Sequence, residues 1–182
     1  MTSAASVGGS ERLRLFLAYE LPVQTAEALA GWAAEHLRGR LVRREDLHVT
    51  LAFLGSRPAS DVAPVLDVLE RAAADAAPPR FELGRWRETR SAGMLVLRDE
   101  TGAAAPFAGR LHRDLAALGL YRPESRDWLP HVTVLRYRER PRLSPPLPDL
   151  APFAPSGAAA FLCRLHPSVS RYEVLGSFRL SQ

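Results

Sequence analysis

Two short segments of the chain carry the same reactive side chains at the same spacing. His48 and Thr50 flank a valine in the first segment, and His131 and Thr133 flank a valine in the second. For a chain with this histidine and threonine content, chance predicts only about 0.16 His-x-Thr pairs. Each pair continues into apolar residues, which is typical of a buried strand. The repetition therefore indicates one site assembled from two equivalent strands.

The period of a strand decides how these side chains are presented. Residues two apart point to the same face, so each histidine shares a face with its threonine. The intervening valine points to the opposite face, into a core. Two such strands related by an approximate twofold axis would place two imidazoles and two hydroxyls around one cleft.

This set of groups suits the hydrolysis of a phosphodiester. A neutral imidazole can deprotonate the attacking water, while an imidazolium protonates the leaving oxygen. Threonine hydroxyls can donate to the non-bridging oxygens, where negative charge accumulates. The chemistry requires neither a metal nor a cofactor, and we expect none. The competing interpretation, two histidines at ordinary core or surface positions, is disfavoured by the repeat.

Composition excludes several other classes of protein. All 24 basic residues are arginine, so P-loop ATPases, Schiff-base enzymes and lysyl-adenylate transferases are ruled out. A single cysteine excludes a disulfide framework and cysteine-rich zinc sites. The net charge of +4 permits a phosphate-bearing partner. No signal peptide or apolar membrane span is evident, so we expect a cytoplasmic monomer without membrane association.

Length and apolar periodicity predict a disordered leader, residues 1–11, and one two-lobed domain, residues 12–182. Each lobe contains a strand–helix–strand unit. The predicted helices run from Pro22 to Gly39, from a Ser60 cap to Ala73, and from the turn containing Pro106 to Gly119. Proline-rich residues 141–155 are predicted to form a loop. The predicted strands cover residues 13–19, 47–54, 81–87, 93–97, 128–137, 157–165 and 171–180.

The two histidine segments resemble the paired motifs of the 2H phosphoesterase superfamily. The closer resemblance is to the bacterial and archaeal RNA 2′,3′-cyclic phosphodiesterases, also called 2′-5′ RNA ligases. It is carried by residues 14–18, 47–55, 130–136 and 172–180, and extends over about residues 12–180. It implies a bilobal, pseudo-symmetric α+β fold, with two antiparallel sheets flanking a central cleft and helices outside.

The resemblance also implies an activity and a set of roles. The family opens a terminal ribose 2′,3′-cyclic phosphate on RNA to a 2′-phosphate, and can join RNA ends through a 2′-5′ linkage without ATP. It implies that His48 is the acid at the leaving 3′-oxygen and His131 the base for water, although the residues alone permit the exchange. Thr50 and Thr133 would hold the phosphate oxygens.

Five residues after each histidine, the two strands differ. Phe53 follows His48 and could stack on the terminal base, or it could be a core aromatic. Arg136 follows His131 and could pair with a phosphate. Strict alternation would point both away from the histidine face, so a bulge or a strand end is needed to bring them round.

Three alternatives remain open from the sequence. The substrate could be an RNA 3′ end, or it could be a small cyclic nucleotide or an ADP-ribose cyclic phosphate. The domain could also bind nucleotides without turnover, although both intact motifs argue against this. Other candidates have simpler interpretations: His36 and His112 as partly exposed helix residues, His166 as a loop residue, and Trp128 as a core residue.

Overall fold

The computed structural model of the protein describes residues 12–165 and 170–181. Three helices lie within this part of the chain, at Val23–His36 (α1), Val62–Ala74 (α2) and Ala104–Ala117 (α3). The strands are Arg12–Glu20 (β1), Arg40–Leu41 (β2), His48–Pro58 (β3), Phe81–Glu88 (β4), Ala92–Asp99 (β5), His131–Arg136 (β6), Gly157–Leu165 (β7) and Ser170–Phe178 (β8).

The strands form one antiparallel sheet in the order β4-β5-β6-β3-β1-β7-β8, with β2 beside β6. Its two halves meet between β3 and β6, where Val49 and Val132 are the only paired residues in the described ranges. The predicted α+β class and antiparallel pairing are confirmed. The structure differs from the prediction of two separate sheets: the strands form one continuous sheet, whose two halves are joined through the pairing of Val49 with Val132.

The helices cover one face of the sheet and leave the other face for the site. Leu29 of α1, Leu69 of α2 and Leu111 of α3 are fully buried in the main core, together with Leu17 of β1. On β1 the alternate residue Phe16 points the other way. It forms a smaller apolar cluster with Ala18, Ala159 and Phe161. This second cluster is the apolar floor beneath the first histidine.

Several local predictions differ from the structure, since α1 ends at His36 and β3 continues past Leu54 to Pro58. Ser60 does not cap α2: it lies in a 3-10 turn, Ala59–Asp61, that precedes the helix. The neighbouring Asp61 does not cap the helix either, because its carboxylate accepts a hydrogen bond from Arg57 at 2.8 Å. The strand predicted over residues 128–137 is shorter and begins at His131, immediately after Pro130, which has no N–H to donate to a ladder.

Residues 141–155 form the predicted loop, with one exception. Phe153 makes an isolated bridge to Phe81, the first residue of β4, through main-chain hydrogen bonds of 2.8 and 2.9 Å. The predicted leader, residues 1–11, and His166 lie outside the described residues. No helix in the described ranges is long and apolar enough to cross a membrane.

Candidate active site

The two His-x-Thr segments begin two neighbouring strands and open onto one cleft. His48 is the first residue of β3 and His131 the first of β6. The antiparallel pairing of Val49 with Val132 sets the two motifs side by side. The cleft has a volume of about 280 Å³. Its lining consists of both pairs and their neighbours: Phe16, His48, Thr50, Phe53, Thr89, Ser91, Ala92, Met94, His131, Thr133, Arg136 and Tyr172.

Both imidazoles are fixed by the same hydrogen bond. Nδ1–H of His48 donates to the main-chain carbonyl of Asp46 at 2.7 Å, and Nδ1–H of His131 donates to that of Leu129 at 2.8 Å. A carbonyl only accepts, so each bond assigns the proton to Nδ1. This leaves Nε2 of each ring for proton transfer. Nε2 of His48 lies 3.1 Å from the hydroxyl of Thr50, which donates to it.

The residue whose carbonyl orients His48 takes part in a charged pair through its side chain. Asp46 ends a 3-10 turn, Arg44–Asp46, just before β3. Its buried carboxylate accepts a hydrogen bond of 2.7 Å from Nε of Arg43, and Nη2 of the same guanidinium forms an ion pair with it at 2.7 Å. Burial raises the pKa of Asp46, and the bond from Arg43 acts in the opposite direction. Removal of Arg43 would leave a buried carboxylate without its partner beside the first histidine.

Burial and positive charge lower the pKa of both histidines. Burial lowers the pKa of His48 from 6.5 to about 4, the bond to the Asp46 carbonyl opposes the shift, and the charges of Arg136 and His131 add to it. Burial also lowers the pKa of His131, and the positive charge of Arg136 lowers it further. Arg136 therefore lies close enough to both rings to repel a proton from either one. An anion bound in the cleft would offset this repulsion.

Two bulges bring Phe53 and Arg136 into the cleft. In β3, Thr50 pairs with Ala18 and Ala52 pairs with Leu17, so the residue between them, Leu51, is extra. In β6, Thr133 pairs with Met94 of β5 and Leu135 pairs with Gly93, so Val134 is the extra residue. An extra residue reverses the alternation, so the side chain five positions after each histidine returns to the histidine face. The sequence required such a bulge, and the structure contains it in both lobes.

Phe53 lies at the edge of the cleft and is not a core residue. Its side chain is 48% exposed. One side of the ring is occupied by the Arg14 guanidinium, 5.2 Å from the ring centroid, and Phe16 lies parallel at 6.1 Å. Phe53 also lines a second cavity of about 560 Å³, which includes Tyr121 and Trp128. The ring is therefore available to a planar ligand between the two cavities.

Sequence reasoning missed part of the lining. Phe16 packs against His48 with 4.8 Å between ring centroids, and Tyr172 meets the same imidazole edge-on at 5.5 Å. The alternation of β1 predicts that Phe16 points to the opposite face of the strand from Leu15 and Leu17. It gives no reason to expect that Phe16 lies beside a histidine. Tyr172 comes from a strand more than a hundred residues away, so no local pattern connects it to His48.

The remaining candidates take structural positions. The Trp128 indole donates a hydrogen bond to the Thr50 carbonyl at 2.9 Å. This bond connects the segment that precedes the second motif with the strand of the first motif. Nε2 of His112 lies 2.7 Å from the Leu51 carbonyl. In residues 12–165 and 170–181, no group of three His, Cys, Asp or Glu side chains could hold a metal ion.

Comparisons with known sequences agree with this geometry. The family model described as 2'-5' RNA ligase superfamily matches residues 21–161. The RNA 2',3'-cyclic phosphodiesterase of Escherichia coli (strain K12) is 33% identical over 135 residues, which cover 70% of this chain and 73% of that protein. A protein of the same name from Geobacillus stearothermophilus is 32% identical over 136 residues, 69% of this chain and 42% of that protein.

Comparisons with solved structures show the same fold. E. coli LigT complexed with 3'-AMP has a TM-score of 0.81 and 25% identity, covering 94% of this chain and all of the other. TT0787 of Thermus thermophilus has a TM-score of 0.78 and 26% identity, covering 92% of this chain and 98% of the other. On the matched family model and the similarity of these relatives, the chain belongs to the 2'-5' RNA ligase superfamily.

Proposed function

We propose that the protein hydrolyses the terminal 2′,3′-cyclic phosphate of RNA to a 2′-phosphate, with His48 and His131 as its acid–base pair. The observation that carries the proposal is that equivalent hydrogen bonds orient the two imidazoles. Each donates Nδ1–H to a carbonyl two residues upstream and keeps Nε2 for the cleft that both rings line. The names of the two bacterial relatives support the choice of substrate.

The reaction follows from two proton transfers. The neutral imidazole takes a proton from water, and the water oxygen attacks phosphorus opposite the 3′-oxygen. The P–O3′ bond breaks, and the imidazolium gives its proton to O3′. The product carries a 2′-phosphate and a free 3′-hydroxyl. If a 5′-hydroxyl of a second RNA attacks in place of water, the same step forms a 2′-5′ linkage without ATP.

The lining supplies contacts to the rest of the substrate. The hydroxyls of Thr50 and Thr133 donate to the non-bridging oxygens, whose charge rises in the transition state. Arg136, which repels protons from both histidines in the free protein, offsets the phosphate charge. Phe53 stacks on the terminal base. The exposure of Phe53 and Arg136 at the cleft edge favours an RNA end, which continues outside the site, over a small enclosed cyclic nucleotide.

The roles of the two histidines are assigned from the family resemblance, with His48 as the acid. His48 must then gain a proton when substrate binds, because burial and positive charge hold its pKa at about 4 in the free protein. The phosphate anion favours that change in two ways, because it attracts the imidazolium directly and offsets the Arg136 charge. In the exchanged assignment His48 is the base and is already neutral before substrate binds.

A substrate with a better leaving group separates the two assignments. Replacing O3′ of the cyclic phosphate by sulfur reduces the need for a general acid. If His48 is the acid, the rate loss of His48→Ala should shrink on this substrate while that of His131→Ala persists. The reverse pattern would support the exchanged assignment.

The proposed activity itself is tested with a short RNA that ends in a 2′,3′-cyclic phosphate. Wild type, His48→Ala and His131→Ala are compared, with His36→Ala as the matched control, because His36 lies on α1 outside the cleft lining. We expect each cleft variant to lose about 10²–10⁴ in rate, and the control to retain it. Hydrolysis of adenosine 2′,3′-cyclic phosphate but not of the RNA would indicate a small-nucleotide enzyme. Binding of both substrates without turnover would indicate a nucleotide-binding module.

A further inference from the structure

The bulge that turns Phe53 into the cleft depends on one side chain of another element. Leu51, the extra residue of β3, has no partner in β1, and β3 pairs with β6 only through Val49. The Leu51 carbonyl accepts a hydrogen bond of 2.7 Å from Nε2–H of His112 on α3. A buried carbonyl without a donor costs free energy, so this bond stabilises the bulged conformation.

In the second lobe, the carbonyl of the extra residue accepts its hydrogen bond from a main-chain N–H. Val134 is the extra residue of β6 and occupies the position equivalent to Leu51, three residues after the histidine. Its carbonyl accepts a bond of 2.9 Å from the main-chain N–H of Val42, immediately after β2. The two pseudo-equivalent carbonyls therefore both have a donor. In the first lobe that donor is the imidazole of His112.

The position of His112 is itself constrained. The ring is half-buried and stacks on Tyr121, with 4.6 Å between centroids and 23° between planes. The carbonyl accepts only, so the proton is assigned to Nε2. Just before the bulge, the Thr50 carbonyl is held by Trp128. Two consecutive carbonyls on the cleft strand are thus held by side chains from the second half of the chain.

We infer that His112 is a positioning residue that holds the Leu51 bulge and thereby keeps Phe53 in the cleft. His112 acts through Phe53 and leaves the acid–base pair in place. Its loss therefore weakens substrate binding more than the chemical step. The kinetic part of this inference rests on the proposed function, whereas the structural part, the fixing of residues 50–54, does not.

Four variants test the inference by kinetics on a short RNA that ends in a 2′,3′-cyclic phosphate. His112→Leu removes the donor, and His112→Gln retains an amide N–H near the Nε2 position. Loss of the donor should raise KM about 3–30-fold with kcat within about threefold, and the glutamine variant should stay within about threefold of wild-type KM. Phe53→Ala should resemble His112→Leu, and adding His112→Leu to it should change KM by less than about twofold.

Hydrogen exchange of the free, full-length protein tests the structural part separately. We expect the amides of residues 50–54 to exchange faster in His112→Leu than in wild type, and His112→Gln to restore their protection. His36→Leu is the control, because His36 is another helix histidine stacked on an aromatic ring, Trp32, at 5.8 Å. If His112→Leu does not fold, His112→Asn removes the same bond, because its amide is too short to reach the carbonyl.

The outcomes separate failure of this inference from failure of the proposed function. Unchanged exchange at residues 50–54 in the donor-less variant would overturn the inference, whatever the activity. A KM effect of the same size in the Phe53→Ala background would overturn it as well, because His112 would then act independently of Phe53. If wild type does not turn over the RNA 2′,3′-cyclic phosphate, the proposed function fails, and the exchange experiment still decides the role of His112.

Discussion

Acidification should destabilise the protein through His48, and replacing this residue should remove the effect. In the unfolded chain its pKa is about the ordinary 6.5, whereas burial lowers the folded value to about 4. Burial is the largest cause, the carbonyl of Asp46 opposes it, and the charges of Arg136 and His131 add to it. The folded protein therefore binds a proton at this site more weakly than the unfolded chain does.

The sign and size of the effect follow from proton linkage. Between pH 6.5 and about 4, the unfolded chain carries a proton on His48 that the folded protein lacks, so the free energy of unfolding falls as the pH falls. Above 6.5 both states are neutral at this site, and the stability is fully present. Each unit of pKa difference corresponds to about 1.4 kcal/mol. His48 should therefore account for a loss of about 3 kcal/mol by pH 4.

Urea unfolding of wild type and His48→Gln at about pH 7.5 and pH 4 measures this contribution. Carboxylates and His131 titrate in both proteins, so their effects largely cancel in the difference between them. We expect the difference in unfolding free energy to shift by about 3 kcal/mol in favour of the variant at the lower pH. A difference that stays constant with pH would refute the buried, neutral state of His48 in the free protein.

Three further substitutions probe other contacts of the site. Thr133→Val should lower kcat by about 10²-fold on a cyclic phosphate substrate without changing the melting temperature, because it removes one donor to the transition state; an unchanged kcat would remove Thr133 from the phosphate site. Trp128→Phe should cost about 1 kcal/mol in urea unfolding, because the Thr50 carbonyl loses its donor; full stability would argue against that bond. Gly93→Ala should lower the free energy of unfolding by about 1–3 kcal/mol, because the added methyl group would overlap the Trp86 indole. A wild-type melting temperature would show that the indole can move.

The chemistry of the site could be predicted from the sequence because it depends on local periodicity. Alternation along a strand puts His48 beside Thr50 and His131 beside Thr133, and the structure places all four side chains on one cleft. The same rule showed that Phe53 could reach the cleft only through an irregularity in its strand. Their catalytic and binding roles remain predictions.

The rest of the site depends on contacts between distant segments. His112 lies 61 residues from the carbonyl that it contacts, and helical periodicity predicts only that it is partly exposed. Tyr172 reaches His48 from β8, across β7 and β1. The joining of the two halves into one sheet rests on the pairing of Val49 with Val132, and no sequence pattern specifies that a single pair bridges them.

The central claim is that two imidazoles open a cyclic phosphate at its 3′-oxygen. The most direct measurement is a ³¹P NMR time course of an RNA 2′,3′-cyclic phosphate in excess EDTA with wild type, His48→Ala, His131→Ala and the double variant. We expect wild type to form only the 2′-phosphate. Each single variant should lose about 10²–10⁴ in rate, and the double variant should lose little more, because the two groups act in one step. A 3′-phosphate product, or a cyclic phosphate that survives incubation with wild type, would contradict the account.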